Sequence, residues 1–371
     1  MPASPAPQQM RDTHGATYLP IHEPLANTEL LQRELAVDAS ELLGYTSDGD
    51  VYVDPAQAAL MNPGNMCYLN AMLHVLARTP SIRSWAVQHL SLCGRLQIGQ
   101  PCCLCDLGSD LKRLSIDSDA VPQVARVVRS RGAWSQGAFA NTGQQDAHEA
   151  FCCLLDACEA IDLNKLLALP LPTEARSILA RSGNNNADRY STPFWRALGG
   201  VQRSTVTCNA CGSTSARLEM WHVLSLSLPK QACTIEQLVS NYFESVPLRD
   251  PDDRCEHVGC PAAHQREKSD QLVRWPAVLV VHLKRWDPVT LRKVPTHVIY
   301  ETVFVVDASQ PAYHLRGIVE HHGNAGGGHY TSHVRAPDNF WYHCDDEIAP
   351  MRVPTTTALK AQAMILIYER T

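Results

Sequence analysis

The chain has 371 residues, of which 45% are hydrophobic and 19% charged, with a formal net charge of −6. That is an ordinary globular balance with enough apolar matter for a sizeable core, and its acid excess argues against a chain built mainly to bind nucleic acid. The longest purely aliphatic run, AVLVV at 277–281, is far too short to cross a membrane. The opening MPASPAPQQMRDTHG shows no apolar stretch of the signal-peptide kind. Fourteen cysteines in such a chain point to thiolate chemistry and metal sites rather than disulfides, so an intracellular protein, cytoplasmic or nuclear, is expected.

In chain order, residues 1–54 are rich in Pro, Ala, Gln, Asp and Thr and read as a mostly flexible extension, with one short helix at ANTELLQRELA (26–36). From Tyr68 to Arg78 the apolar residues fall at 69, 72, 73 and 76, one face of a helix. AHEAFCCLLDACEAI (147–161) predicts a second helix, with Ala147, Phe151, Leu154, Leu155 and Cys158 on one side. RSGNNNADRYST (181–192) reads as a polar exposed loop. From 201 the pattern changes to strands: VQRSTVTC, ARLEMWHVLSLSLP, PAVLVVHLKRW, HVIYETVFVV, YHLRGIVEHH, GHYTSHVRAP and FWYHCDDEIAP. Helices first and strands later predict an α+β fold over residues 55–371.

NPGNMCYLN (62–70) sets a thiol at the mouth of the first helix. Cys67 there is a small buried hydrophobe, a metal ligand or a nucleophile. Free N–H groups and the helix dipole favour an anion at that place, so a lowered thiol pKa is expected. Asn62 can donate an amide hydrogen bond to an oxyanion, and Gly64 lets the turn fold back toward the sulfur. A base is offered by GNAGGGHYTSHVRAPDNFWYHCDDE (323–347), where three glycines precede His329. Folding the two strands about Ala336–Asn339 brings Asp345 or Asp346 back beside the imidazole, the base and orienter of a catalytic triad. The plainer alternative makes His329 a loop residue and the two aspartates solvated strand-end charges.

Two cysteine sets have metal-ligand spacing. Cys208 and Cys211 form a C-x2-C knuckle between two strands, and Cys260 with either Cys255 or His257 would complete a tetrahedral site. In HLSLCGRLQIGQPCCLCDL (89–107), His89 and Cys93 share a helix face and Cys102 with Cys105 makes a second knuckle. Cys103 could replace Cys102, and a cysteine-rich buried helix end is the plain alternative. Cys152, Cys153 and Cys158 read as small core residues, and Lys284-Arg285-Trp286 as the end of a core strand.

Taken in order, these segments resemble the ubiquitin-specific proteases. NPGNMCYLN resembles their Cys box and GGGHYTSHVRAP…WYHCDDE their His box. TGQQDAHEAF (142–151) resembles the Gln-Gln-Asp motif, and LVVHLKRW (279–286) the Leu-Lys-Arg-aromatic strand. FWRALGGVQRSTVTCNACGSTSARLEMWHVLSLSLP (194–229) resembles the entry into their zinc-ribbon fingers. The resemblance implies a papain-like fold with a thumb at about 60–195 and fingers and palm at about 196–371. It implies Cys67 as nucleophile, His329 as base, Asp345 as its orienter, Asn62 as oxyanion donor and Asp346 as a supporting acid. Gln144, Gln145, Asp146, Gly328 and Tyr330 would border the substrate tail. Structural zinc is implied at Cys208, Cys211 and Cys260, with Cys255 or His257, and a second site at His89, Cys93, Cys102 and Cys105 resembles one in relatives acting on chromatin. The implied partners are ubiquitin, ubiquitinated proteins and an activating protein, with no membrane and no nucleic acid.

Three departures stand out: Met66 where Thr is usual, Cys344 where Phe is usual, and HEAF in place of HEFL. None removes a catalytic group. An active thiol deubiquitinase is therefore expected, against a silent zinc-stabilised ubiquitin-binding adaptor or an isopeptidase for a ubiquitin-like modifier.

Overall fold

A computed structural model describes residues 10–11, 17–18, 58–95, 102–116, 121–168, 192–249, 254–257, 259–260, 265–287, 289–290, 292–305, 312–324 and 327–370. The expected helix at 26–36, the loop at 181–191 and nearly all of the extension at 1–54 lie outside these residues.

Six helices of six or more residues and two main sheets dominate the described fold. The helices are α1 (Cys67–Ala77), α2 (Pro80–Arg95), α3 (Cys103–Ile116), α4 (Ala147–Ala168), α5 (Pro193–Leu198) and α6 (Ile235–Tyr242). Strands β1 (Gly200–Cys208), β2 (Thr214–Trp221) and β4 (Arg266–Arg274) form one sheet in the order β2-β1-β4, extended by Val246–Pro247. The larger sheet contains β3 (Leu224–Ser227), β5 (Val278–Lys284), β6 (Tyr313–Asn324), β7 (Gly327–Arg335), β8 (Trp341–Asp345), β9 (Ile348–Val353) and β10 (Ala363–Arg370). Its order is β9-β8-β7-β6-β10-β5-β3, with Val303–Phe304 added on β6. The α+β expectation holds.

The large sheet is buried on both faces. Along β5, Val278 and Val280 join one core while Leu279, Val281 and Leu283 join the other. Along β10, Ile365 and Ile367 face the first core, and Leu366 and Tyr368 the second. That double burial explains why these strands read as unbroken apolar runs. AMILIYER was not expected as a strand, because periodicity cannot separate such a run from a buried helix segment. REKSDQLVR, now β4, escaped for the opposite reason: charges on both of its faces hide the alternation, and the neighbouring β1 supplies its ladder.

Some expected strands are broken. ARLEMWHVLSLSLP divides into β2 and β3, which belong to different sheets. HVIYETVFVV holds only two short pieces, Val298–Ile299 and Val303–Phe304, because Tyr300 turns inward and donates its hydroxyl to the Ala361 carbonyl at 2.7 Å. FWYHCDDEIAP folds back at Asp346, whose φ is +42°, so Asp345 pairs with Ile348.

All of α1 is buried, each of its larger aliphatic side chains contributing about 1.5–3 kcal/mol. It packs against the sheet at Gly317, where a Cβ would stand 2.2 Å from Val75 Cγ1. Only glycine lets helix and strand approach this closely. That contact lies toward the end of α1 away from Cys67, and the helix also packs along β7, the strand that carries His329.

Candidate active site and metal centres

Cys67 is the first residue of α1, and Met66 before it offers no capping side chain. The first-turn N–H groups are thus left for the sulfur: those of Cys67 and Tyr68 act on it, as does that of Tyr330 across the cleft on β7. Tyr330 follows His329 in the chain, so the thiol and the imidazole border one cleft. His329 Nε2 meets Asp345 Oδ1 at 2.6 Å, with Ser332 opposite Cys344 in the intervening ladder. A carboxylate accepts only, so Nε2 carries the hydrogen and Nδ1 keeps its lone pair.

The thiol pKa departs from expectation. Burial raises it and nearby Asp346 adds to the rise, against the lowering by the three backbone N–H groups. The net direction is upward because Cys67 is only 4% exposed, and desolvation outweighs the helix-end donors. Burial thus favours the neutral thiol over the thiolate in the free site.

Asn62 is fixed from both sides of its amide. Oδ1 accepts from Gly64 N (3.0 Å) and Met66 N (2.9 Å), while Nδ2 donates to Asp346 Oδ2 at 2.7 Å. The opposite amide orientation would set NH2 against two N–H groups, so the donor side faces the carboxylate. Asn62 Nδ2 holds a second hydrogen beyond the one given to Asp346. Asp346 also accepts from Asn70 Nδ2 at 2.8 Å, and its carbonyl accepts from Leu60 N. One carboxylate therefore ties the 62–66 loop and α1 to the end of β8. Sequence reasoning missed Asn70, although it closes the quoted NPGNMCYLN stretch, one helical turn after Cys67.

The other expected residues lie around the cleft in different ways. Gln144 is engaged by Gly328, donating from Nε2 to its carbonyl (2.7 Å) and accepting from its N–H (2.8 Å). Gly328 itself admits no side chain, since a Cβ would stand 2.2 Å from His321 Nε2 and 2.3 Å from the His322 carbonyl. Gln145 bonds Asn141, and Asp146 caps α4 by accepting from His148 N and Glu149 N. Tyr330 meets the site through its backbone; its ring is core-packed. Met66 and Cys344 are both buried, so the unusual residues fill core space. Arg285 is buried and donates to the carbonyls of Ala363 and Thr296, a structural use of its charge.

Both cysteine sets converge. The donor atoms of Cys208, Cys211, Cys255 and Cys260 lie within 4.8 Å of one another, and so do those of His89, Cys93, Cys102 and Cys105. Cys208 Sγ is 3.6 Å from Cys260 Sγ, and Cys211 Sγ is 3.7 Å from Cys255 Sγ. Two thiolates bound to a tetrahedral ion at about 2.3 Å would stand roughly 3.8 Å apart. His89 Nε2 to Cys102 Sγ is 3.5 Å, against roughly 3.6 Å for such a nitrogen–sulfur pair. Both donor sets fit a metal. His257 is not in the first cluster; it is exposed and offers only its carbonyl, to Cys260 N. Cys255 takes the fourth place because it projects toward the knuckle. Cys103 is likewise outside the second cluster, its sulfur packed 3.7 Å from that of Cys158. All fourteen cysteines are free of disulfides, and no described helix is long and apolar enough to cross a membrane.

Known proteins match this chain along most of its length. Ubiquitin carboxyl-terminal hydrolase 25 of Arabidopsis thaliana is 27% identical over 331 residues, covering 84% of this chain and 47% of the relative. Ubiquitin carboxyl-terminal hydrolase 17-like protein 12 of Homo sapiens is 27% identical over 326 residues, covering 84% and 55%. The chain thus spans about half the length of these relatives. Among solved structures, the yeast SAGA DUB module with a mutant Sgf73 has a TM-score of 0.70 at 20% identity, covering 87% of this chain and 70% of that one. The SAGA Ubp8/Sgf11/Sus1/Sgf73 module bound to ubiquitin aldehyde has a TM-score of 0.69 at 19% identity, covering 95% and 76%. The profile of the ubiquitin carboxyl-terminal hydrolases matches residues 58–368, and the chain belongs to that family.

Proposed function

We propose that this chain is a thiol-dependent deubiquitinase that hydrolyses the bond after the C-terminal glycine of ubiquitin. The observation that carries the reading is the cleft joining Cys67, beneath the Tyr330 N–H, to the His329–Asp345 pair at 2.6 Å. His329 Nδ1 takes the thiol proton while Asp345 holds the Nε2 hydrogen and balances the imidazolium. The sulfur attacks the glycine carbonyl, and the second Asn62 N–H with backbone N–H groups receives the oxyanion. His329 then protonates the departing lysine amine, and water, deprotonated by the same imidazole, releases ubiquitin from the thioester. Burial holds the free thiol's pKa up, so we infer that proton transfer to His329 accompanies substrate or partner binding.

The two ligand sets are assigned to structural zinc, Cys208/Cys211/Cys255/Cys260 in the fingers and His89/Cys93/Cys102/Cys105 beside α2 and α3. Their ligand spacings support zinc, and each would tie two chain segments together. We assign residues of about 60–195 to a thumb, and about 196–371 to fingers and palm. Ubiquitin and ubiquitinated proteins are the substrates. An activating protein is inferred from the raised thiol and from the related module, which contains Sgf11, Sus1 and Sgf73. An intracellular setting, cytoplasmic or nuclear, is inferred from the fourteen cysteines, which form no disulfide.

A ubiquitin vinyl sulfone tests the assignment. Covalent labelling at Cys67, lost in Cys67→Ala and His329→Ala, is expected; binding without labelling would mean an adaptor instead. Faster release from a ubiquitin-like fluorogenic conjugate than from ubiquitin would identify a different modifier.

A further inference from the structure

Beside the nucleophile loop the surface changes character. An open groove of about 640 Å³ runs along Met61, Pro63, Pro122, Val124, Arg129 and Arg131. Met61 is 41% exposed and Val121, at its edge, 75%. The groove adjoins a shallow depression bordered by Arg126, Arg129 and Ser130. Asp106 also borders that depression without forming an ion pair with either arginine. Residues 121–145 contain no acid at all, in a chain whose net charge is −6; Asp117 and Asp119 just upstream lie outside the described residues. Arg126 and Arg129 are exposed and make no ion pair with a described residue. This is a cationic rim around an apolar floor, locally opposite in sign to the rest of the chain.

Its position relative to the chemistry decides what it would hold. Met61 and Pro63 flank Asn62, whose Oδ1 accepts from Met66 N directly before Cys67. Arg131 lies near enough to the Tyr68 hydroxyl to act on it electrostatically. Met61 N bonds the Gln123 carbonyl, so floor and nucleophile loop are one surface. On the deubiquitinase reading, with the acyl half of the substrate along the Gln144–Gly328 bridge, the amine half would emerge past Asn62.

We propose that this groove docks the leaving-group protein, and that it selects acceptors whose modified lysine lies in an acidic stretch with apolar residues. The proposal rests on the deubiquitinase reading. Arg126 and Arg129 would meet carboxylates while Met61, Pro63 and Val124 cover an apolar side chain, steering as well as holding the acceptor. The competing occupant is the chain's own acidic stretch at 38–54, which carries no basic residue and ends seven positions before Met61 in the sequence.

Binding and turnover together test it in the full-length chain. Ubiquitin is joined through an isopeptide bond to a labelled Asp/Glu-rich peptide or to its Asn/Gln counterpart. Anisotropy titrations use a Cys67→Ala background at 50 and 300 mM salt. The acidic conjugate should bind about fivefold more tightly at low salt, the worth of two exposed ion pairs, and the advantage should vanish at high salt. Arg126→Glu/Arg129→Glu should erase it while leaving release of a small fluorogenic amine from ubiquitin unchanged. Equal binding of the two conjugates, or a preference that survives the charge reversal, would overturn the proposal. So would a several-fold gain in acidic-conjugate affinity on Glu41→Gln/Asp48→Asn/Asp50→Asn, which would show the groove already filled by its own chain. Absence of fluorogenic turnover in the unaltered chain, with its acidic preference present, would instead sink the deubiquitinase reading alone.

Discussion

Replacing Asp346 by Asn separates two effects that usually move together. The carboxylate accepts from Asn62 and Asn70 at 2.7 and 2.8 Å, and each charge-assisted bond is worth about 1.5–3 kcal/mol. An amide in its place can accept one of these and must set its NH2 against the other, so the gross loss is about 2–4 kcal/mol. Part of it is returned, because burial already holds the Asp346 carboxyl above its ordinary range and the neutral amide escapes that penalty. A net loss of about 1–2 kcal/mol follows, a fall of a few degrees in Tm. Asn62 keeps its two loop bonds but loses its anchor, so kcat should drop about tenfold to a hundredfold, short of full removal of an oxyanion donor. The thiol should move the opposite way. Asp346 helps to raise the Cys67 pKa, so the variant should be alkylated by iodoacetamide faster at pH 7. Slower turnover with faster alkylation is the expected signature. Unchanged turnover in a folded variant, or slower alkylation, would show that Asp346 does not act through Asn62 and the thiol.

Asp345→Asn should leave ubiquitin affinity unchanged and lower kcat by about three orders of magnitude, since His329 would then be held in the wrong tautomer; a larger loss in Asp346→Asn would reverse the two roles. Elemental analysis should return two zinc equivalents per chain, Cys208→Ser removing one and His89→Ala the other, and a single equivalent in the unaltered chain would dismiss one site. His282 stacks on His148 at 3.8 Å, and burial holds its pKa at about 2, with His148 shifted the same way. The unfolded imidazole binds a proton below about 6.5 and the folded one does not, so this stability is full above that pH and lost as pH falls. Urea unfolding should weaken by about 2 kcal/mol between pH 7 and pH 5 from His282 alone. His282→Gln should flatten that slope, and an undiminished slope would contradict the assignment.

Much of the site was legible because its parts are local. Cys67 and Asn62 belong to one loop–helix junction, and His329 and Asp345 to one hairpin, so spacing and turn chemistry were sufficient to bring each pair together. The two knuckles could be read for the same reason. The choice between Cys255 and His257 could not, because both are reasonable ligands and only the path of the connecting chain decides which projects inward.

The sequence by itself determined the order of helices and strands, the helix-mouth thiol, the hairpin carrying His329 and Asp345, and the cysteine spacings, all of which depend on contacts a few residues apart. Tertiary structure decided that β10 is an interior strand of the large sheet, that Gly317 lets α1 close on that sheet, and that one carboxylate, Asp346, clamps both Asn62 and Asn70 from more than 270 positions away. It also reversed the expected shift of the thiol. Helix-end donors are visible in a sequence, but desolvation depends on every element packed around the sulfur, and at Cys67 it is the larger effect.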